Sequence, residues 1–336
     1  MGRYLARRLL QFIPTVLATM FLLHYLTSVG IQFSGNPVRA LFGDRTPPES
    51  VLENLTERLG LGDPCLQRRG DPCLGLFVDR MEGIFLHWDF GVDFGLRPVT
   101  ELIAERIPYT AKVVVIAIIF EAVIGITAGV LAGLRKDGFV DQLVKLSTVV
   151  FIATPVFVLG FVVREFVGVK FGNVLRGAEW IPDWISHGVF SPGFKREYPW
   201  ASLVIPGLVL GALSLATVAR LTRTSILENN RSDYVRTAKA KGLSTRRVIG
   251  VHTLRNSLIP VVTYIGIDLG TLMAGALITE TIFNIPGIGS LVVPAARSGE
   301  APVVIGVTTF LILVYLVANL LVDVLYAVLD PRIRYD

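Results

Sequence analysis

Carboxylates inside apolar segments are the first residues of this sequence that could do chemistry. Glu121 and Asp268 lie deep in long apolar stretches, and Glu280 lies nearer the end of one. An ionisable group in such surroundings is costly, and it usually faces a bundle interior or a cavity. We therefore predict that these three residues are candidates for a substrate pathway. For Glu121, a structural hydrogen bond or ion pair to another helix or to a partner protein is an equally good interpretation.

The only two cysteines, Cys65 and Cys73, form a second candidate site. They lie in a short internal repeat, GDPCLQRRGDPCL. Eight positions apart with a basic turn between them, they can reach disulfide distance, and a location outside the cytoplasm would permit oxidation. We predict a disulfide rather than two exposed reactive thiols. A metal site is a weaker interpretation, because His87 is the only nearby imidazole and the set is not tetrahedral.

Catalytic motifs are absent from the sequence. It contains no G-x-x-x-x-G-K-[ST] phosphate-binding loop, no H-E-x-x-H and no G-x-S-x-G. The four histidines are scattered along the chain, at His24, His87, His187 and His252. We therefore predict no enzymatic activity, no cofactor and no metal in this chain.

Long apolar segments supply the scaffold for these residues. Of 336 residues, 52% are hydrophobic and 18% charged, and the mean hydropathy is +0.60, far from a soluble protein. A membrane-spanning helix needs about 20 mostly apolar residues. Six stretches qualify, so we predict an all-α integral membrane protein with six transmembrane helices. They are residues 9–30, 109–134, 142–166, 200–220, 258–283 and 302–329.

The first apolar stretch could instead be a secretory signal peptide, because basic residues precede it. Its apolar run is long, however, and no cleavage site of small residues follows, so we predict a retained span. Basic residues in short loops stay on the cytoplasmic side. This rule predicts cytoplasmic amino and carboxyl termini and an external segment 31–107, where acidic residues outnumber basic ones. The cytoplasmic basic residues outside segment 221–258 are Arg3, Arg7, Arg8, Arg135, Lys136, Arg332 and Arg334.

Three regions follow from this topology. Residues 1–30 form the amino-terminal tail and first span, residues 31–107 an extracytoplasmic loop domain, and residues 108–336 a core of five spans. Within the external loop, PPESVLENLTERLGLGDP is typical of an amphipathic helix. The stretch RPVTELIAERIPYTAKV predicts an interfacial helix that turns into the second span at Pro108.

A basic helical hairpin lies between the fourth and fifth spans, in YVRTAKAKGLSTRRVIGVHTLRNSLIP. Ser232 is a good N-cap for a helix over residues 233–241, and Gly242 supplies the left-handed residue after it. A second cap, Ser244, begins a helix that leads to Pro260 and the fifth span. Because the short helix is tethered at both ends, we predict that it lies along the membrane and is exposed to the cytoplasm.

The hairpin could bind DNA or lipid, and both interpretations are open. A helix-turn-helix rich in Arg and Lys could bind DNA, but its second helix would have to leave its own transmembrane continuation. The basic residues could instead bind lipid phosphates and enforce topology. The lipid interpretation does not explain the small residues Ala238, Ala240 and Gly242, which leave room for another protein surface.

The hairpin resembles the cytoplasmic "EAA" loop of bacterial ABC importer permeases, in the version typical of dipeptide and oligopeptide permeases. The matching segment is YVRTAKAKGL. Four other segments resemble that family in the expected order: RYLARRLLQFIPTVL, RPVTELIAERIPYTA, ITETIFNIPGIGSL and LVDVLYAVLDPRIR. The chain departs from the general pattern at Arg236 and Thr237, where Glu and Ala are usual, and residues 62–74 resemble an insertion.

This resemblance implies a type I ABC importer permease of the bacterial cytoplasmic membrane. It implies a second, similar permease, two ATPases that bind ATP and Mg, an extracytoplasmic binding protein and membrane lipid as partners, and no nucleic acid. The cargo would be short peptides, or else nickel, glutathione or opine-like compounds. Asp268 is the preferred pathway residue, because the fifth span lines the route in that family. The residues expected to couple the chain to the ATPase are Asp233, Tyr234, Arg236, Thr237, Ala238, Lys241 and Gly242.

A turning or re-entrant loop is predicted after the fifth span. Pro286, Gly287 and Gly289 punctuate the sequence there. We expect this loop at the outer mouth of the permease, in contact with the incoming binding protein.

Overall fold

The computed structural model describes residues 2–35, 37–42, 47–298 and 300–329, and within these ranges the chain is helical, without a β-strand. Arg332 and Arg334, which were predicted to lie on the cytoplasmic side, are outside the described residues, as are residues 36 and 43–46 of the predicted external segment. The α-helices are α1 (Gly2–Ser34), α2 (Glu49–Arg58), α3 (Leu74–His87), α4 (Val99–Phe120), α5 (Ile126–Leu134), α6 (Phe139–Ala153), α7 (Val156–Val163), α8 (Gly172–Arg176), α9 (Val204–Asn230), α10 (Asp233–Ala240), α11 (Thr245–Arg247), α12 (Arg255–Ser257), α13 (Ile259–Ile282), α14 (Gly289–Ser298) and α15 (Ala301–Leu329).

In the described part of the chain, five helical stretches are long and apolar enough to cross a membrane. These stretches are Leu10–Ser34, Val99–Leu134, Ala201–Asn230, Ile259–Ile282 and Ala301–Val322. A sixth span exists if one bent pair of helices is counted as one. The six predicted spans are therefore found as five continuous helices and one broken helix.

The broken span corrects the prediction of one continuous helix over residues 142–166. Phe139–Ala153 and Val156–Arg176 meet at an angle of 104°. The break lies at Pro155, which has no N–H and whose ring disfavours helical geometry in the preceding residue. Thr154 is accordingly extended, with φ −95° and ψ 118°.

The second span also differs from its prediction, because the chain does not turn at Pro108. One long helical stretch continues through Pro108 from Val99 to Leu134. Its only irregularity is a π-helical segment, Glu121–Gly125, between α4 and α5. A single proline removes one backbone hydrogen bond, and a transmembrane helix packed among neighbours tolerates that loss.

The chain divides into two compact units. One contains Ala111–Ile285 together with the end of α15 from Ala318, and the other contains Gly2–Thr110 and Pro286–Val317. Each unit combines segments that are distant in sequence. The unit that contains Ala111–Ile285 is named the inner unit, and the unit that contains Gly2–Thr110 is named the outer unit.

Small residues allow the main helices of the inner unit to pack closely. Gly129 of α5 faces α9, and a Cβ added there would lie 2.5 Å from the carbonyl oxygen of Ala219 and 2.5 Å from Cβ of Thr222. Gly125 and Gly133 lie on the same side, against Val218 and Ile226 of α9. Glycines four residues apart share one helix face and allow two backbones to approach. The three glycines therefore allow α5 and α9 to pack closely along one face.

An ionic cluster joins α6 to α9 at the end of the inner unit that precedes α10. Asp141 is fully buried and accepts hydrogen bonds from the guanidinium of Arg223 and, at 2.8 Å, from the backbone N–H of Asp137. Lys145 Nζ lies 3.0 Å from Asp141 Oδ2. Arg223 is mostly covered, whereas Lys145 is largely exposed. The buried carboxylate therefore has a basic partner on each of two helices.

In the outer unit, the predicted amphipathic helix is α2, and a disulfide joins Cys65 to Cys73. The disulfide segment docks on α1. The side-chain amide of Gln32 donates to the carbonyl of Asp71 at 2.8 Å, and its oxygen accepts from the N–H of Gly70 at 2.8 Å. The segment with residues 62–74 is thus an ordered surface of the outer unit.

His24 of α1 makes a second attachment to this segment. Its Nδ1 lies 3.1 Å from Nη1 of Arg80, and its Nε2 lies 3.1 Å from the carbonyl oxygen of Cys73. A guanidinium only donates and a carbonyl only accepts. Nδ1 must therefore be the acceptor and Nε2 must carry the hydrogen, so His24 is a neutral imidazole in this arrangement. Burial lowers the pKa of Arg80 to about 10.

Loss of the disulfide is expected to destabilise the outer unit. In the chain-entropy model, a disulfide that closes a loop of this length raises the free energy of the unfolded chain by about 2.5 kcal/mol. We expect a chain carrying both Cys65→Ser and Cys73→Ser to be cut by added protease within residues 62–74, whereas the oxidised wild type resists cleavage there. Equal cleavage of the two proteins would contradict the prediction.

Glu300 is expected to give the outer unit a pH-dependent stability. Burial, helped by the charge of Asp93, raises the pKa of Glu300, while the N–H of Phe94 donates to its carboxylate and opposes the rise. The folded state therefore binds this proton more tightly than the unfolded state, and stability falls as pH increases from about 4 through the raised value. We expect Glu300→Gln, which keeps an acceptor for Phe94, to raise the melting temperature at pH 8 and to change it little below pH 4. Melting curves of the two proteins that differ equally at both pH values would exclude this effect.

Candidate functional site

The exposed short helix α10 lies at the centre of the first candidate site. It covers Asp233–Ala240, Lys241 is its C-cap, and Gly242 follows in the left-handed region at φ +73°. The predicted helix over residues 233–241 is thus found one residue shorter. The preceding helix α9 continues to Asn230, so the first ten residues of the predicted loop 221–258 are still helical.

The predicted side-chain cap at Ser232 is wrong in its hydrogen bond. Ser232 has the extended backbone of an N-cap, but its hydroxyl donates to the carbonyl of Asn229 at 2.6 Å instead of accepting from the helix. Asn229 lies in the last turn of α9, where carbonyls lack helical partners. The hydroxyl of Ser232 therefore caps the C-terminal end of α9 instead of the N-terminal end of α10. The backbone of Ser244 also has N-cap geometry without a side-chain hydrogen bond.

A small apolar cluster attaches α10 to the segment after it. Val235 (0% exposed) and Ala238 of α10 pack with Val248, and Leu243 packs against them. Val248 begins a π-helical segment, Val248–Leu254, which leads through α12 into α13. The hydroxyl of Ser257 in α12 donates to the carbonyl of Ser225 in α9 at 3.1 Å. Helix α10 is therefore packed against the segment that leads into α13, and that segment is hydrogen-bonded to α9.

The outer face of α10 is free of packing within the chain. Of the seven predicted coupling residues, the structure buries Ala238 and exposes the others, which are Asp233, Tyr234, Arg236, Thr237, Lys241 and Gly242. Arg236 and Asp233 form a solvent-exposed pair at 3.4 Å. Such a pair contributes little to stability. The face is thus a charged, mixed-sign surface about two turns long, available to another protein.

The second candidate site is a polar cluster inside the inner unit, where the structure brings two of the predicted pathway carboxylates together. Glu121 is 0% exposed and Asp268 is 5% exposed. The two carboxyl groups face each other, and Ser214 of α9 faces both. Tyr264, one turn before Asp268, faces Ser214 and Thr217 and completes the cluster. The π-helical segment that begins at Glu121 belongs to the second span, so three spans contribute to the cluster.

Glu280, the third predicted pathway residue, is fully buried twelve positions after Asp268 on α13. At about 1.5 Å per residue it lies about 18 Å further along the helix. It is not part of the cluster of Glu121 and Asp268. The three candidates therefore do not form one continuous site in this structure.

Ser214, Thr217 and Tyr264 were not predicted from the sequence as site residues. Short hydroxyl residues are common in transmembrane helices, where they often donate to the carbonyl four residues earlier, as Thr222 does to Val218 at 2.7 Å. The only signal available was the polar pair in LSLAT, within an otherwise apolar span. Contacts between helices decide which hydroxyls meet a carboxylate, and these contacts are not encoded by periodicity.

The outer-mouth residues lie in a turn of the outer unit that leads into α14. Pro286 is partly exposed, whereas Gly287 and Gly289 are buried. The N–H of Ile288 donates to the hydroxyl of Thr110 at 3.0 Å, and Ser290 donates to the carbonyl of Gly287 at 2.7 Å. The turn is held by hydrogen bonds, and the contact of this loop with a binding protein remains a prediction.

Within the described residues, no group of three or more His, Cys, Asp or Glu side chains could hold a metal ion. The prediction that the chain carries no cofactor stays a prediction. The two candidate sites differ accordingly in what they can do. The α10 face exposes charges and hydrogen-bonding groups to a protein partner, while the second cluster consists of buried carboxyl and hydroxyl groups.

A family model described as "Binding-protein-dependent transport system inner membrane component" matches residues 125–335, which is more than half of the chain. Three relatives are similar over the full length of the chain. The probable peptide ABC transporter permease protein of Sinorhizobium fredii is 32% identical, with 100% of each chain covered. The dipeptide transport system permease proteins of Escherichia coli and Haemophilus influenzae are 34% and 33% identical, covering 100% of this chain and 99% and 100% of the relatives, respectively.

Proposed function

Starting from the membership of this chain in the family of binding-protein-dependent transport system inner membrane components, we propose that it moves short peptides across the cytoplasmic membrane. The chain is a permease component of an ABC importer and not an enzyme, and ATP is hydrolysed by a separate subunit. The family also works with a binding protein. The peptide cargo is supported by the names of the full-length relatives, which are peptide and dipeptide permeases.

The observation that supports the mechanism best is the attachment of α10. Its inner face packs on Val248 through Val235 and Ala238, while its outer face carries exposed charges. A partner that pushes on α10 would displace the segment that leads into α13, because the two are packed together. Small shifts of a helix at an interface are one way in which a protein switches between two states. We infer that α10 docks in an ATPase and transmits its closure to α13.

The assembly that we propose contains four kinds of partner. A second, similar permease completes the pore, two ATPases bind ATP and Mg beneath it, a substrate-binding protein delivers peptide from outside, and lipid surrounds the spans. Both termini lie in the cytoplasm in this arrangement. This orientation is supported by the basic residues beside α10, which include Arg246 and Arg247, both exposed. No nucleic acid is involved.

Cargo is tested directly by transport. The complex is purified with its own permease partner and ATPases, reconstituted in liposomes, and supplied with binding protein and internal ATP. We expect uptake of a labelled dipeptide that stops when a non-hydrolysable ATP analogue is used. Nickel, glutathione and an opine serve as matched cargoes, and uptake of one of these without dipeptide uptake would overturn the peptide assignment.

A further inference from the structure

The buried carboxyl groups of Glu121 and Asp268 are unusual because they lack close hydrogen-bond partners and basic neighbours. Neither carboxyl oxygen of Glu121, nor Oδ2 of Asp268, has a hydrogen-bond partner at normal distance among the described residues, although Asp268 and Ser214 face Glu121. No basic side chain of the described part of the chain forms an ion pair with either residue. Two such carboxyl groups repel each other if both are ionised, and an uncompensated buried charge is strongly destabilising.

The contrast with Asp141 shows how this fold satisfies a buried carboxylate when the role is structural. Asp141 is just as buried, and it has Arg223, Lys145 and a backbone N–H as partners. Glu121 and Asp268 have instead the hydroxyls of Ser214 and Tyr264 nearby, and hydroxyl oxygens are ligands as well as donors. The second cluster is therefore rich in oxygen and poor in positive charge.

From this geometry we propose that Glu121 and Asp268, with the hydroxyls of Ser214 and Tyr264, bind a monovalent cation within the membrane. Oxygen ligands suit hard cations, and carboxylate and hydroxyl oxygens also accept the hydrogen bonds that a primary ammonium group donates. A divalent ion is less suitable, because calcium requires six to eight oxygen ligands and magnesium a near-ideal octahedral set. A single positive charge between the carboxylates removes the repulsion and satisfies the oxygens that lack partners.

Two sources could supply the cation, namely a free alkali ion or the α-ammonium group of a peptide cargo. The second source rests on the proposed function. The side of α13 next to the cluster is not fully covered within the chain: Tyr264 is only partly buried, and Ile267, one residue before Asp268, is 46% exposed. A cation could therefore reach the carboxylates along this side of α13.

The test measures the melting temperature of the complete transporter in lipid nanodiscs. Sodium chloride is compared with N-methylglucamine chloride, and dialanine is compared with N-acetyl-dialanine in the sodium-free buffer. Binding to the folded state alone raises the melting temperature, here by about 2–4 °C. A rise with sodium identifies an alkali-ion site, and a rise with dialanine but not with its acetylated form identifies an ammonium site. If neither compound raises the melting temperature of the wild type, the proposal is overturned.

Variants place the effect at the cluster. We expect Glu121→Gln and Asp268→Asn each to abolish the rise, whereas Asp183→Asn, which removes an exposed carboxylate of the same unit, keeps it. A rise that persists in both cluster variants would assign the cation to another place and overturn the proposal. The result is independent of uptake, so a transporter that proves not to import peptide would refute the proposed function and leave the sodium comparison decisive.

Discussion

Replacement of Gly129 by valine is expected to leave little folded protein in the membrane. The added Cβ would lie 2.5 Å from both the carbonyl oxygen of Ala219 and Cβ of Thr222. One obstacle is backbone and the other is the branch point of a stiff side chain, so neither can rotate away. Helices α5 and α9 would have to separate, which we expect to cost about 3 kcal/mol or more, at the upper end for overpacking.

The measurement is the fraction of the extracted protein that elutes as a single species in mild detergent, together with its melting temperature. Gly30→Val is the matched control, because Gly30 also lies within a long apolar helix but has no atom within 4 Å of an added Cβ. Normal yield and melting of the Gly129 variant would show that the α5–α9 contact is not as close as the structure indicates.

Val235→Asp is expected to abolish transport while leaving the spans in place. Val235 is fully buried against Val248, and a carboxylate at this position would have no basic partner in the cluster. Burying it costs about 3 kcal/mol, which is roughly a hundredfold change in the docking equilibrium of α10. Once α10 is detached, motion of an ATPase no longer reaches α13, so we expect peptide uptake to fall at least about tenfold.

Uptake and ATP hydrolysis are measured in the same liposomes, after matching the amount of inserted permease. Val251→Asp provides the control, because it makes the same chemical change three residues beyond Val248, at a side chain that is 53% exposed. We expect the control to retain uptake. A Val235 variant with wild-type uptake would show that α10 transmits nothing through this cluster.

The sequence predicted the helical class, the approximate positions of the spans and the short helix α10, because each depends on local properties. Apolar length identified the spans, and Gly242 marked the end of α10. It did not predict that the span of Glu121 changes to a π-helix at that residue, or that Glu121 and Asp268, far apart in the chain, face each other. Both features depend on how α4, α9 and α13 pack, for which periodicity carries no information.

The break at Pro155 was not predicted for a different reason. Hydropathy is averaged over a window and does not detect a backbone change at one residue, so the stretch over residues 142–166 was predicted as a single helix. The proline itself was the available signal, since it restricts the residue before it. Pro108 shows why that signal is ambiguous, because there the helix continues without interruption.

The disulfide between Cys65 and Cys73 has a consequence for the biogenesis of the chain. Reduced thiols are the normal state in the cytosol, so in the proposed orientation this bond would form after the segment has crossed the membrane. Its attachment to His24 and Gln32 then requires that α1 already be inserted. The redox state of Cys65 and Cys73 in a newly made chain therefore reports whether the segment has been translocated. Free thiols can be alkylated in intact cells before lysis, and the mass of the protein can then be measured by mass spectrometry. Oxidised chains that have reached their final topology would carry no alkyl group, whereas reduced chains that have not would carry two.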